Sequence, residues 1–344
     1  MKRYFIGMDA HSRHSCFVVM NVKGQILHRK QIDTSEAEIL GFVRSLEGTK
    51  ALTFEESTLS QWLYLLLKDE VDELVVANPA AIARRGAAKT DFIDATELAD
   101  LLRVGRLKSV FHTADDRMEL RALISGYNDL VQEIVRTKNR FKALFARSAL
   151  PSRGTGIYTD EARISELPSL ARREVAKALF DQLELLESQR REVYWERFRK
   201  NRRRFSEISL LCTIPAFGIV RSNQVVGIVV TPERFSDKYH FFSYAMLVRH
   251  KQQSDGKQYG NKQAHGQVLL KSIFKSAAVS ALRGGNAFRR KYDQMRATGT
   301  PDKAARNSVA RALAATVLGV WKTGKKYDDH YREVKQRQNL RRQG

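Results

Sequence analysis

The stretch RYFIGMDAHSRHSCFVVMNVKGQILHRKQI (residues 3–32) decides how the N-terminal part of this chain folds. It contains three short segments rich in β-branched and aromatic residues, 3–9, 16–22 and 25–32, which are separated by polar residues typical of turns. Lys23-Gly24 suits the tight turn of a hairpin. We therefore expect three strands joined by hairpins at the start of the chain.

Helices and further strands follow these hairpins. Strands are predicted at 50–55 and 73–77, and helices are predicted after the N-cap Ser35, over 59–69 and from Asp91 to about Gly105. The resulting order βββαβαβα predicts a mixed sheet with helices packed on it, as in ribonuclease-H-type folds. The expected fold class of the N-terminal domain is therefore α/β.

The remainder of the chain is predicted to be mainly helical. Long helices are expected over 114–149 and 161–205, and the spacing of apolar residues in 178–198 suits either a helical hairpin or a coiled-coil-like dimer arm. A turn at 214–218 precedes helical and apolar segments that run to about 323. The expected domains are an α/β domain at 1–112, a helical coiled-coil-like region at 113–206, a mainly helical C-terminal domain at 207–324 and a loosely ordered basic tail at 325–344.

Composition and charge narrow the class of protein. The 344 residues carry a net charge of +22, of which residues 1–110 contribute zero, 111–150 contribute +2 and 151–344 contribute +20. Such segregation favours a polyanion such as nucleic acid as partner. No apolar run approaches the ~18 residues of a membrane span, and two cysteines cannot build a disulfide framework. Asp9 interrupts any secretory leader, so we expect a cytoplasmic protein.

Four carboxylates form the strongest candidate site. Asp9 ends the first predicted strand and Glu55 ends the fourth, while Asp91 and Asp94 share one face at the start of a helix. Carboxylates converging at the sheet edge would repel one another without a cation, and oxygen ligands favour Mg²⁺ or Mn²⁺. Two such ions can clamp the attacking and leaving oxygens of a phosphodiester. The alternative to metal binding is that each aspartate, taken alone, is an ordinary residue at a strand end or a helix cap. In addition, a shift of one residue in the strand register would place Glu56 in the site instead of Glu55.

The segments GMDAHSRHSCFVV (7–19), LTFEES (52–57), ANPAAIARRGAAKTDFIDATELADLL (77–102) and TIPAFG (213–218) resemble the transposases of the insertion-sequence one-ten family. These are DEDD recombinases guided by a bridge RNA, and the Piv-type DNA invertases are related to them. The resemblance covers most of the chain and implies a RuvC-like domain, a helical middle and a C-terminal transposase domain. It also implies that Asp9, Glu55, Asp91 and Asp94 are the metal-binding catalytic set.

The resemblance further implies a serine nucleophile in the C-terminal domain. The family places this serine after a Y-A-G-L segment, which corresponds here to residues 244–247, and counting onward without a gap reaches Ser254. The family commonly has several serines and an arginine after this point, whereas this chain has Asp255, Gly256 and Lys257. Tyr259 is the alternative nucleophile. The family chemistry is strand exchange through a covalent phosphoserine, with a composite site assembled from different subunits of a dimer or tetramer.

Basic residues near these segments are candidates for nucleic-acid binding. They are Arg84, Arg85, Lys89, Arg202, Arg203 and Lys257. A solvated basic face is the alternative for the first three, and the charged end of a helix for the block 199–205. His11 and His14 are interpreted as turn residues between the first two strands.

The sequence thus predicts a metal-dependent DNA transposase or recombinase of the bacterial cytoplasm and nucleoid, with DNA, a guide RNA and further copies of itself as partners. A Piv-like invertase and a RuvC-like junction nuclease are the enzymatic alternatives. A nucleic-acid-binding protein with a decayed site is the non-enzymatic one.

Overall fold

The computed structural model describes residues 3–82, 90–254, 257–264 and 266–330. The chain divides into two compact units, Met1–Asp115 and Asp116–Gly344. Across the described ranges, no helix combines the length and the apolar character needed to span a bilayer.

The first unit is built on a five-stranded mixed sheet with the strand order β3-β2-β1-β4-β5. Strands β1, β2 and β3 are antiparallel, whereas β4 and β5 run parallel to β1. The strands are β1 (Arg3–Ala10), β2 (His14–Met20), β3 (Ile26–Asp33), β4 (Thr49–Glu55) and β5 (Glu73–Ala77). The helices of this unit are α1 (Glu36–Arg44), α2 (Ser60–Leu67) and α3 (Asp91–Arg103). The expected ribonuclease-H-type mixed sheet is confirmed, with strand ends shifted by one or two residues.

The predicted hairpin between β2 and β3 is held by one asparagine side chain. Asn21 Oδ1 accepts hydrogen bonds from the backbone N–H groups of Lys23 and Gln25 at 2.9 and 3.0 Å. Gly24 adopts a φ of 81°, a left-handed conformation that glycine reaches without strain. The Gly24 N–H donates to the Asn21 carbonyl at 3.0 Å, so Val22 and Lys23 are the central residues of the turn, one residue earlier than the predicted Lys23-Gly24.

The sheet separates two apolar layers because successive side chains of a strand face opposite sides. Ile6 and Met8 of β1 lie on the side covered by α1 and α2, together with Phe54 of β4. Phe5 of β1 lies on the other side, in the cluster that includes Ala95 of α3. Among the described residues, α3 is the helix that contributes side chains to this second cluster.

A glycine in the central strand brings α3 unusually close to the sheet. A Cβ built on Gly7 would lie 2.0 Å from the Ala95 carbonyl oxygen and 2.6 Å from the Ala99 backbone nitrogen. Ala95, Leu98, Ala99 and Leu102 are the buried residues of α3, whereas Leu101 is only partly buried. The alanines and Gly7 therefore set the position of the helix along β1.

The second unit is mainly helical, as expected. Its helices are α4 (Glu119–Ala146), α5 (Leu170–Gln189), α6 (Glu196–Arg204), α7 (Ser206–Leu211), α8 (Ile219–Val229), α9 (Lys238–Tyr244), α10 (Val268–Ala281), α11 (Ala287–Ala297) and α12 (Asp302–Thr323). Leu120 and Ile124 at the start of α4 share a core with the helices after residue 205. Farther along α4, Phe141 and Phe145 belong to a separate cluster with Phe180 of α5.

The prediction of one helix over 161–205 is wrong at the N-terminal end of that range. Residues Glu161–Glu166 form a separate 3₁₀ turn, and Leu167 is extended because the following Pro168 disfavours a helical conformation in its neighbour. Ser169 then caps α5, which continues through a π-helical segment, Arg190–Trp195, into α6. The first predicted long helix is also shorter, since α4 begins only at Glu119.

Two expectations for the C-terminal part need correction. The segment predicted as helical contains an antiparallel hairpin of β6 (Arg249–Ser254) and β7 (Lys257–Gln263). The first residues of the predicted loose tail are packed, since the Tyr327 ring stacks on Phe288 with centroids 5.8 Å apart and Asp329 pairs with Arg290 at 2.9 Å. Residues 331–344 of that tail lie outside the described residues.

Candidate active site

Two candidate carboxylates lie side by side at the ends of neighbouring parallel strands. Met8 of β1 pairs with Phe54 of β4 in the parallel register, and Asp9 and Glu55 are the next residues on the two strands. Met8 and Phe54 belong to the core on one face, so Asp9 and Glu55 lie toward the opposite face, on which α3 packs.

Helix α3 places the other two carboxylates beside Asp9. Thr90 caps the helix, since its Oγ1 accepts a hydrogen bond from the Ile93 N–H at 3.3 Å. Asp91 and Asp94 both lie in the first turn, where the helix dipole stabilises negative charge. The contact of Ala95 with Gly7 holds this first turn next to the residues that follow Gly7 on β1. The fold therefore directs both aspartates toward the end of β1.

The electrostatics of Asp9 reflect this crowding. Burial raises the pKa of its carboxyl above the usual value, His11 lowers it, and the negative charges of Asp91 and Asp94 raise it further. The Asp9 side chain is 19% exposed, whereas that of Asp91 is 55% exposed. Because a bound cation would offset the repulsion and the desolvation together, this environment fits a divalent metal.

The side chain of His11 joins this cluster, which the interpretation of His11 as a turn residue does not anticipate. Its Nε2 lies 3.2 Å from Asp9 Oδ2 and 3.7 Å from Asp91 Oδ1. Ligand atoms of Asp9, His11 and Asp91 all lie within 4.8 Å of one another. The signal was present in the spacing, because residues two apart at a strand end face the same side. His14 is not a turn residue: it begins β2, and its ring pairs with Asp33 at 3.1 Å.

Glu55 and Glu56 have different surroundings. Glu56 Oε2 lies 2.5 Å from Nε2 of His112, whose side chain is only 3% exposed. The other ring nitrogen of His112 lies 2.8 Å from Gln61 Oε1. Glu56 is thereby engaged in a structural contact between β4 and the segment after α3, whereas Glu55 follows the register of Asp9. The assignment of Glu55 to the site stays a prediction, and this difference supports it.

The predicted nucleophile lies at the closed end of the β6–β7 hairpin. Ser254 is the last residue of β6 and pairs with Lys257, the first residue of β7. Gln252 pairs with Gly260 and Gln253 with Gln258, so Tyr259 is the extra residue of a bulge in β7. The hairpin belongs to the second unit and the carboxylates belong to the first. The roles of Ser254, Lys257 and Tyr259 remain predictions.

The remaining predicted nucleic-acid contacts fall into two groups. Arg202 and Arg203 are exposed in the last turn of α6, and Arg202 Nε donates a hydrogen bond to Ser209 Oγ at 3.2 Å. The other group, Arg84, Arg85 and Lys89, lies outside the described residues. Exposure of the α6 arginines is compatible with binding to a phosphate backbone and also with a solvated helix end.

Comparison with known families adds to this geometry. A family model described as a transposase, the DEDD type of IS110, matches residues 6–149, which include all four carboxylates. A second model, described as the transposase IS116/IS110/IS902 family, matches residues 208–293, which include Ser254 and its hairpin. No curated protein matches the chain. The two family matches lie in the order expected from the sequence, and we conclude that the chain belongs to the IS110 (insertion-sequence one-ten) family of transposases.

Proposed function

We propose that this transposase cuts and joins DNA through a covalent phosphoserine intermediate, in a reaction that depends on a divalent metal. The observation that carries the proposal is the meeting of strand and helix ends in the first unit. Asp9 and Glu55 end adjacent parallel strands, and Asp91 and Asp94 begin the helix packed against Gly7. This arrangement suits metal-assisted phosphoryl transfer.

The carboxylates hold the metal in this proposal. Asp9 and Asp91 are the residues whose oxygens already lie close together, and Asp94 is near enough to raise the pKa of Asp9. Bound Mg²⁺ or Mn²⁺ would act as a Lewis acid on a phosphodiester oxygen. Glu55, next to Asp9 in register, would complete the set.

Ser254 supplies the nucleophile. Its Oγ forms a bond to phosphorus while the bond from phosphorus to the leaving strand's oxygen breaks, and that oxygen departs as a free hydroxyl end. The serine proton passes to solvent or a neighbouring base, because a neutral hydroxyl is a weak nucleophile. A hydroxyl end of the new strand then attacks the phosphoserine and restores Ser254. The ester keeps the phosphodiester bond energy that hydrolysis would release.

The partners are DNA, a structured guide RNA and further copies of the chain. The RNA proposal rests on the resemblance to bridge-RNA-guided enzymes, and the +20 charge of residues 151–344 suits a second large polyanion. A homodimer or homotetramer is part of the proposal because the family resemblance implies a composite site assembled from different subunits. The exposed Arg202 and Arg203 are proposed phosphate contacts, together with Arg84, Arg85, Lys89 and Lys257. A DNA substrate in turn implies action in the bacterial cytoplasm, at the nucleoid.

A denaturant-resistant adduct assay tests the proposal. Labelled element-end DNA and Mg²⁺ are incubated with wild type, Ser254→Ala and Tyr259→Phe, with and without RNA transcribed from the element's flank. We expect a covalent protein–DNA band that requires both Ser254 and the RNA. A band that requires Tyr259 instead of Ser254 would assign the nucleophile to Tyr259. A band that forms without added RNA would favour the Piv-like invertase.

The metal set has a matched control within the same sheet. Asp9→Asn is expected to abolish the adduct, whereas Asp33→Asn, at the end of the edge strand β3, should leave it intact. Free cleavage without an adduct would contradict the serine proposal and indicate a RuvC-like nuclease. Salt-sensitive DNA binding that is unaffected by Asp9→Asn, together with no reaction on matched element DNA, would indicate a binding protein with a decayed site.

A further inference from the structure

The imidazole of His11 is held at the candidate metal centre by its own backbone. The His11 N–H donates to the His14 carbonyl at 3.1 Å, and Thr34 Oγ1 donates to the His11 carbonyl at 2.7 Å. The ring nitrogen Nε2 then lies 3.2 Å from Asp9 Oδ2 and 3.7 Å from Asp91 Oδ1. The backbone on both sides of the ring is therefore anchored while the ring faces two carboxylates.

These separations match those of ligands that share one ion. Nitrogen or oxygen ligands at about 2.1 Å from a metal lie about 3.0 to 3.5 Å apart when they occupy adjacent positions. The distance of 3.2 Å to Asp9 lies within that interval, and the distance of 3.7 Å to Asp91 lies just above it. Among the described residues, this is the one trio of potential ligand atoms that clusters within 4.8 Å.

The chemistry of a nitrogen donor differs from that of the carboxylates. Mg²⁺ takes almost only oxygen ligands, whereas imidazole suits first-row transition ions, among which Mn²⁺ also accepts carboxylates. We propose that His11 is a nitrogen ligand of the divalent cation and gives this centre a preference for Mn²⁺ over Mg²⁺. The inference rests on the proposed function only in that a cation binds between Asp9 and Asp91.

The strand that follows begins with a matched histidine. His14 lies three residues farther on, is 54% exposed at the side chain against 58% for His11, and also contacts an aspartate, Asp33, at 3.1 Å. His14 lacks the second carboxylate. If His11 merely formed a hydrogen bond to Asp9, its removal would affect metal binding no more than the removal of His14.

Titration calorimetry of the full chain tests the proposal, with Mn²⁺ or Mg²⁺ alone and at one pH above the usual titration range of histidine. His11→Ala is expected to weaken Mn²⁺ binding by about tenfold or more and Mg²⁺ binding much less, while His14→Ala changes neither. His11→Asp replaces nitrogen by oxygen and should bind Mg²⁺ at least as well as wild type, without the Mn²⁺ preference. Circular dichroism confirms that each variant is folded.

A spectroscopic measurement separates ligation from a purely structural role. Pulsed electron paramagnetic resonance of bound Mn²⁺ should show a ¹⁴N coupling in wild type and in His14→Ala, and no such coupling in His11→Ala. An unchanged ratio of Mn²⁺ to Mg²⁺ affinity in His11→Ala, or a missing ¹⁴N coupling in wild type, would overturn the proposal. If Asp9→Asn abolishes binding while His11→Ala does not, only the role of His11 fails. If neither matters, the metal centre itself fails.

Discussion

Replacing Gly7 by alanine tests whether the contact between β1 and α3 positions the site. The added Cβ would lie 2.0 Å from the Ala95 oxygen and 2.6 Å from the Ala99 nitrogen, and both are backbone atoms that cannot rotate away. An ordinary contact needs about 3.4 Å or more, so α3 must move outward by about 1.4 Å. We expect a loss of about 3 kcal/mol in unfolding free energy, at the upper end of typical overpacking costs. The shift would also separate Asp91 from Asp9.

The assay is urea unfolding of the full chain, paired with Mn²⁺ titration. Gly41→Ala is the matched control, because Gly41 lies in α1 of the same unit and its added Cβ would meet nothing within 4 Å. That control should gain up to about 1 kcal/mol from helix propensity. Gly7→Ala with wild-type stability and wild-type Mn²⁺ affinity would refute the claim that this contact places the first turn of α3.

Three further predictions concern single side chains around the site. Burial raises the pKa of Asp9, so the folded state disfavours the ionised carboxylate. The contribution of Asp9 to the unfolding free energy therefore falls as pH rises through that pKa. Asp9→Asn should for this reason stabilise the metal-free protein at neutral pH. The gain should vanish in urea titrations below the ordinary aspartate pKa, and a gain that persists there would contradict burial as the cause. Thr90→Ala should cost about 1 kcal/mol through loss of the α3 cap, while Thr90→Ser should not, as thermal unfolding can measure. Glu56→Gln should lower the unfolding free energy by about 2 kcal/mol, because it weakens the contact with His112, and should keep Mn²⁺ binding. Glu55→Gln should weaken Mn²⁺ binding and leave the unfolding free energy nearly unchanged. An exchange of these two outcomes would place Glu56 in the site.

The fold of the first unit was predictable because its signals are local. Period-two apolar segments, Lys23-Gly24 and the cap residue Ser35 each act over a few residues, and the mixed sheet follows from their order. The hairpin of β6 and β7 was not predicted, because residues 249–263 are almost wholly polar and show no alternation of apolar and polar residues that would indicate a buried face. The break before α5 depended on one residue, Pro168, within an otherwise helical pattern.

The candidate site was predictable only in part. Parallel strands bring their carboxyl ends to one edge of the sheet, which makes Asp9 and Glu55 neighbours in register. The start of α3 adds Asp91 beside Asp9. The two-residue spacing places His11 on the side of Asp9, but the sequence does not show the hydrogen bonds from Thr34 and to His14 that fix the backbone of His11. The close approach at Gly7 likewise depends on two alanines far along the chain, which no local pattern links to a strand.

That close approach has a consequence for how this protein tolerates mutation. Gly7, Ala95 and Ala99 carry no reactive group, yet the backbone contact at Gly7 leaves no room there for even a methyl group. In a saturation-mutagenesis screen, the Gly7 position should therefore be as intolerant of replacement as the carboxylates, while exposed Ile93, on the same helix, should accept most residues. Inactive copies of such an element would then be recognisable from a substitution at this small residue, even when every acidic residue is intact.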